Sequence, residues 1–199
     1  MTEHVLVPFA VLLAMLAGTV LPVMRSMRKQ GASGLTVHRR RTSVTQRAVG
    51  VIVGLLGAAA IPWAFLVATD RVALWPRGAL LAAIGWTIYA SGIAVIVVAQ
   101  AQMGRAWRIG IDDKPTSLVT TGLYARVRNP IYLGVILVGL GLAALTPSPW
   151  TIASAVAYAV MIRVQVAYEE SHLLALHGDA YRDYLARVGR FLPKIGAAS

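Results

Sequence analysis

The sequence predicts an all-α integral membrane protein: five transmembrane helices, N-terminus out and C-terminus in, with a cytoplasmic interfacial loop and a C-terminal amphipathic helix. Three observations carry that expectation. Hydrophobic residues make up 57% of the 199-residue chain and charged residues only 14%, against roughly a quarter charged in an average soluble domain. The apolar residues gather into five runs. Of the 19 Lys and Arg, only Arg71 and Arg77 fall on segments that this topology places outside. The excess of basic residues in cytoplasmic loops then fixes the orientation.

The formal charge of +11 is therefore a topology signal rather than a nucleic-acid footprint. With no cysteine there is neither a disulfide framework nor a thiolate zinc site. His4, His38, His172 and His177 are too scattered to predict a metal centre.

The first span covers residues 5–24, about 20 residues and so roughly 30 Å of helix, enough to cross the hydrocarbon. It lacks the basic start of a cleaved signal peptide and is read as retained. Residues 25–47 hold seven basic and no acidic side chains, which predicts a cytoplasmic anchor for anionic lipid headgroups. The second span is 48–69, where Gly50 and Gly54 form a small-residue pair suited to close helix packing. A short outer loop, 70–77, carries Trp75 as an interfacial aromatic, and a third span runs from 78 to about 101.

Residues 102–129 form a long polar segment interleaved with Trp107, Ile109, Ile111, Leu118, Val119 and Tyr124, which predicts a working loop along the headgroup layer. The fourth span, Pro130–Leu145, and the fifth, 150 to about 162, are joined by Thr146-Pro147-Ser148-Pro149, a tight helical-hairpin turn. Beyond them Leu173, Leu174, Leu176, Tyr181, Tyr184, Leu185 and Val188 recur at helical spacing between charges. An amphipathic helix results, with Gly178 as a break point. The chain thus divides into 1–101, three N-terminal spans, and 102–199, a functional core of loop 102–129, hairpin 130–168 and C-terminal helix 169–190.

Gly139-Leu-Gly141-Leu-Ala-Ala144 matches a dinucleotide-binding pattern by letter only. It lies inside a span with no preceding strand, so it reads as close helix packing. The richest polar cluster is 118–134, where Tyr124, Arg126, Arg128, Asn129 and Tyr132 gather directly before an apolar run. Glu169 and Glu170 end the last span. A carboxylate at a membrane boundary needs a partner, either Arg126 or Arg128 or a cationic ligand.

The motifs Gly104-Arg-Ala-Trp-Arg-Ile-Gly110, Leu118-Val-Thr-Thr-Gly-Leu-Tyr124, Arg128-Asn-Pro-Ile-Tyr132-Leu-Gly134 and Glu169-Glu170, followed by Leu173, Gly178, Tyr181, Tyr184 and Phe191-Leu-Pro193, resemble the integral-membrane methyltransferases typified by isoprenylcysteine carboxyl methyltransferase and its prokaryotic relatives. The likeness covers about the C-terminal half, in order and in spacing. It implies S-adenosyl-L-methionine as methyl donor, bound by Thr116, Ser117, Leu118, Val119, Tyr124, Asn129, Pro130, Ile131, Tyr132 and Glu169, in a prokaryotic inner membrane. Asn129 replaces a histidine of the family pattern, and an amide keeps hydrogen bonding without charge. Gln165 replaces a substrate-side arginine, while Arg163 lies two residues earlier on another face, which argues against a prenylcysteine carboxylate as acceptor. Arg128, Arg163 and Gln165 are the candidate substrate-side residues.

A methyl donor from the cytosol and a lipophilic acceptor from the bilayer can meet only where polar backbone and lipid adjoin, as the 116–129 stretch allows. Two alternatives share the sequence features: an NADPH-dependent membrane reductase of related fold, and a non-enzymatic membrane scaffold.

Overall fold

The computed structural model describes residues 58–103 and 118–194, with Leu6, Val7, Ala10, Val11, Leu13, Val51 and Leu55. Most of the first predicted span, the basic segment 25–47, the Gly50/Gly54 pair, the 104–110 motif and Thr116 and Ser117 lie outside the described residues. The described helices are α1 (Ala60–Ala68), α2 (Ala79–Met103), α3 (Pro130–Leu145), α4 (Pro149–His177) and α5 (Asp179–Arg187), with a 3-10 turn at Gly122–Ala125. Among the described residues the nearest thing to a strand is a single parallel bridge between Val127 and Gly189.

Helices α2 and α4 are long and apolar enough to cross a membrane, whereas α3 is apolar but shorter. At 16 residues α3 measures roughly 24 Å, less than the ~30 Å hydrocarbon layer. It packs on α2 through small residues. Gly85, Tyr89, Gly92 and Ile96 of α2 face Gly134, Val138, Gly141 and Leu145 of α3, and each set steps by four, three and four residues. A β-carbon on Gly92 would come within 2.7 Å of the Gly134 carbonyl, and one on Gly141 within 2.7 Å of the Tyr89 backbone. Without a water-driven hydrophobic force between helices in lipid, such close van der Waals contact is what joins them. Gly139, by contrast, faces open space. Of the two glycines in the false nucleotide motif, Gly141 alone makes the helix contact. Tyr89 also donates its hydroxyl to the Ala10 carbonyl, tying the N-terminal segment to this seam.

The α3–α4 turn is closed from within. Ser148 caps α4 by accepting from the Thr151 amide at 3.2 Å, while Thr151 Oγ1 accepts from the Ser148 amide at 3.0 Å, a reciprocal capping box. The 70–77 loop is pinned to it, since the Trp75 amide donates to the Pro147 carbonyl at 2.8 Å.

One boundary differs from the sequence expectation. The sequence predicts a fifth span ending near Ile162 and a separate helix over 169–190. Instead α4 continues without interruption to His177, 29 residues in all, or roughly 43 Å. No Gly or Pro occurs between Pro149 and Gly178, so nothing stops the backbone when the apolar run ends. The break comes at Gly178, whose φ of 55° and ψ of −125° suit glycine. The last turns of α4 therefore project past the apolar stretch and carry both glutamates.

Candidate functional site

The site is built where the start of α3, the overhanging end of α4 and the chain after α5 converge. Beside this corner lies the 3-10 turn Gly122–Ala125. Gln102, at the end of α2, accepts the Leu123 amide on its Oε1 at 2.7 Å. Gly122 has φ 64°, and any β-carbon there would strike the Gln102 side chain. Tyr124 is buried, with its hydroxyl 3.4 Å from the Ala99 carbonyl. Its own carbonyl accepts the Tyr184 hydroxyl at 2.5 Å, so α2 and α5 hold the turn from two sides.

Tyr181, Tyr184 and Val188 form a buried cluster against which Leu118, Leu173, Leu174 and Leu185 pack. This is the apolar face of the amphipathic helix, folded onto the loop. Burial pushes the Tyr184 phenol up to about 12, with Arg128 opposing and Glu170 adding to the shift. The Tyr124 phenol is likewise raised by burial, then by Tyr184 and Glu169. Both remain protonated hydrogen-bond donors at neutral pH.

The adjacent glutamates point to different partners, as residues ~100° apart on a helix must. Glu170 is buried, at 6% exposure, and fully engaged. Its Oε1 accepts from Arg128 Nε at 3.1 Å and Asn129 Nδ2 at 2.9 Å. Its Oε2 accepts from Arg190 Nε at 3.0 Å and Arg190 Nη2 at 2.6 Å. Arg128 donates further to the Leu185 and Val188 carbonyls. Backbone bonds complete the clamp: the Arg128 amide to the Gly189 carbonyl at 2.8 Å, and the Asn129 amide to the Arg190 carbonyl at 3.2 Å.

Glu169 faces the other way and is half-buried. Tyr132 donates to its Oε1 at 2.7 Å and Gln165 Nε2 to the same oxygen at 3.3 Å. None of the described residues donates to Glu169 Oε2. Pro130 at the first position of α3 costs no hydrogen bond there and aims Tyr132 into this corner.

The sequence-predicted residues thus separate into two groups. Tyr132, Gln165 and Glu169 meet directly, with Tyr124 within electrostatic reach of Glu169. Arg128 and Asn129 join Glu170 instead, and their side chains buttress the site from behind. Pro130 is buried, Ile131, Leu118 and Val119 are half-buried, and Arg163 is exposed. Arg126, the other partner considered for the glutamates, is also exposed. Sequence reasoning misses Arg190; the available signal is that residues 184–199, after two adjacent glutamates, carry Arg187, Arg190 and Lys194 with no acid among them. Among the described residues no group of three or more His, Asp or Glu is placed to hold a metal ion.

Comparison with known proteins agrees with this architecture. The phospholipid methyltransferase family profile matches residues 77–180. The chain is 36% identical over 107 residues to the nickel-cobalt-cadmium resistance protein NccN of Alcaligenes xylosoxydans xylosoxydans, covering 52% of this chain and 49% of that protein. It is 32% identical over 85 residues to a methanethiol S-methyltransferase of Crocosphaera subtropica, covering 43% of this chain and 32% of that one. The corresponding enzyme of Mycobacterium tuberculosis is 31% identical over 142 residues, 67% of this chain and 54% of the relative. The chain spans about half or less of the curated relatives it matches. Its fold is similar to that of a eukaryotic intramembrane Ras methyltransferase, isoprenylcysteine carboxyl methyltransferase, with a TM-score of 0.59 and 24% identity over 88% of this chain and 61% of that one. With more than half of its length matched by the profile and the helical core in the same arrangement, the chain belongs to the phospholipid methyltransferase family of integral membrane proteins.

Proposed function

We propose that this protein transfers a methyl group from S-adenosyl-L-methionine to a small lipophilic acceptor at the cytoplasmic face of the membrane. The observation that carries this reading is Glu169: one carboxylate oxygen is held by Tyr132 and Gln165, and the other takes no donor among the described residues. A carboxylate fixed on one side and open on the other suits an ammonium or hydroxyl group of a polar ligand. Family membership and the methyltransferase relatives point the same way.

When bound, the cofactor supplies a methyl group activated on a sulfonium. The residues that would hold it are Thr116, Ser117, Leu118, Val119, Tyr124, Asn129, Pro130, Ile131, Tyr132 and Glu169. Tyr132 orients Glu169, the 118–124 backbone offers amides and carbonyls, and the Tyr181–Tyr184–Val188 cluster excludes water behind them. Catalysis on this reading is chiefly alignment and desolvation. On this reading residues 102–199 form the functional core, five spans cross a prokaryotic inner membrane with the C-terminus in the cytoplasm, and residues 25–47 meet anionic headgroups.

Calorimetry with S-adenosylhomocysteine on purified protein tests the site. Glu169→Gln and Tyr132→Phe should each weaken binding about tenfold, the loss of one charge-assisted hydrogen bond. Unchanged affinity in both would overturn the assignment. Stabilisation by NADPH and not by S-adenosylhomocysteine in a thermal-shift comparison would favour the reductase alternative. A shift with neither would leave the scaffold.

A further inference from the structure

Several cations of the C-terminal half have an acid beside them: Arg128 and Arg190 meet Glu170, and Arg182 meets Asp179. Arg126, Arg187 and Lys194 are exposed, and none of them forms an ion pair with a described residue. The fold gathers these three. Val127 bridges to Gly189, which sets Arg126 beside the end of α5, where Arg187 stands. Lys194 Nζ donates to the Leu185 and Ala186 carbonyls at 3.0 and 2.6 Å, so its ammonium sits on the same helix end. Between Gly189 and Lys194 the chain doubles back tightly, since a β-carbon on Gly189 would strike the Leu192 carbonyl. Leu192 itself is 72% exposed. The acids of α5 lie toward its other end, Asp179 on Arg182 and Asp183 one turn before Arg187.

We propose that Arg126, Arg187 and Lys194 bind the phosphates of anionic lipids while Leu192 inserts among the acyl chains, making this turn a membrane contact separate from residues 25–47. Depth supports the assignment. Helix α3 is shorter than the hydrocarbon layer, so crossing it draws the chain just before Pro130 to headgroup level, and Arg126 lies four residues before Pro130. A single exposed leucine is ordinary on a protein surface. One ringed by unpaired cations at a membrane boundary has the make-up of an interfacial anchor, with charge for the headgroups and an apolar side chain for the layer beneath. A soluble acidic partner would answer the cations and leave the leucine in water. The same turn carries Arg190, which holds Glu170, and the carbonyls that hold the Arg128 and Asn129 amides. Lipid docking therefore braces the corner from the membrane side, whatever reaction that corner performs.

The chain has no cysteine, so Leu192→Cys can be labelled at a single place with the fluorophore NBD. The labelled full chain is compared in nanodiscs of phosphatidylcholine alone and of an equal mixture with phosphatidylglycerol, each doped with a lipid bearing a nitroxide high on its acyl chain. Each cation near an anionic surface strengthens attraction by about fivefold, so emission should shift to the blue and quenching should be greater by about threefold or more in the mixed disc. High salt should reverse the difference. Arg126→Gln combined with Arg187→Gln should return quenching in the mixed disc toward the phosphatidylcholine value. An unchanged thermal midpoint in phosphatidylcholine discs reports that this variant is folded. Equal quenching in the two discs, or a mixed-disc signal that survives both salt and the folded double variant, would overturn the proposal. Water-like emission in both discs would overturn it too and give the patch to a soluble acidic partner. The two-disc and salt comparisons use the unmutated cations, so they decide the matter even if the double variant misfolds.

Discussion

Glu170 accepts from Arg128, Asn129 and Arg190 at once, so its carboxylate is the point where the loop exit, α4 and the chain after α5 are joined. Removing one partner of a buried ion pair leaves the others uncompensated, at a cost of about 3–5 kcal/mol. Glu170→Gln is therefore expected to lower the thermal midpoint by many degrees in detergent, and Arg190→Met to do so less, because Arg190 is partly exposed. Tyr184 gives a pH signature. Its phenol titrates near 10 when unfolded and near 12 when folded, so stability is complete below pH 10 and falls as pH rises toward 12. Alkaline unfolding followed by circular dichroism should be flatter between pH 10 and 12 in Tyr184→Phe. Some of this was legible in the sequence, where the glutamates called for a basic partner and Arg128 is one. Arg190 was not, because 20 residues and the Gly178 turn separate it from Glu170, and only tertiary folding brings it back.

At the level of helices, α3 was readable to the residue because chemistry marks both ends: Pro130 fixes its start and Thr146-Pro147-Ser148-Pro149 its end. The end of α4 was not, since hydropathy falls after Ile162 while helix propensity persists to Gly178, and the backbone obeys the second. The α2–α3 seam makes a sharp prediction from two glycines on one helix. Gly141→Ala forces a β-carbon to 2.7 Å from the Tyr89 backbone and should destabilise by about 1–3 kcal/mol. Gly139→Ala meets open space and should be neutral or slightly stabilising. Equal thermal midpoints for the two variants would contradict the seam as described.

Across the whole chain, the family and the apolar helices support an integral membrane protein, while the five-span topology is a proposal that the absence of cysteine makes easy to test. A single cysteine replacing Arg77 should react with a membrane-impermeant maleimide in intact cells, and one replacing Lys194 only after lysis. The reverse pattern would invert the topology. Composition and basic-residue placement make the membrane class readable from the sequence alone. The meeting of α3, α4 and the tail at one corner is not, because it depends on how 29 residues of unbroken helix phase their side chains around the axis.

That phasing has a consequence for chain length. The capping box at Ser148 fixes where α4 begins, and consecutive glutamates near its far end must meet two unrelated sets of partners. One residue inserted between 152 and 164 would turn both acids by about 100°. It would withdraw Glu170 from its arginines and Glu169 from Tyr132 in a single step. Helix α4 thus works as a ruler with two adjacent marks. Insertions should be tolerated in the 70–78 loop, yet lethal to folding anywhere along that stretch of α4, a contrast that a scanning-insertion library would reveal directly.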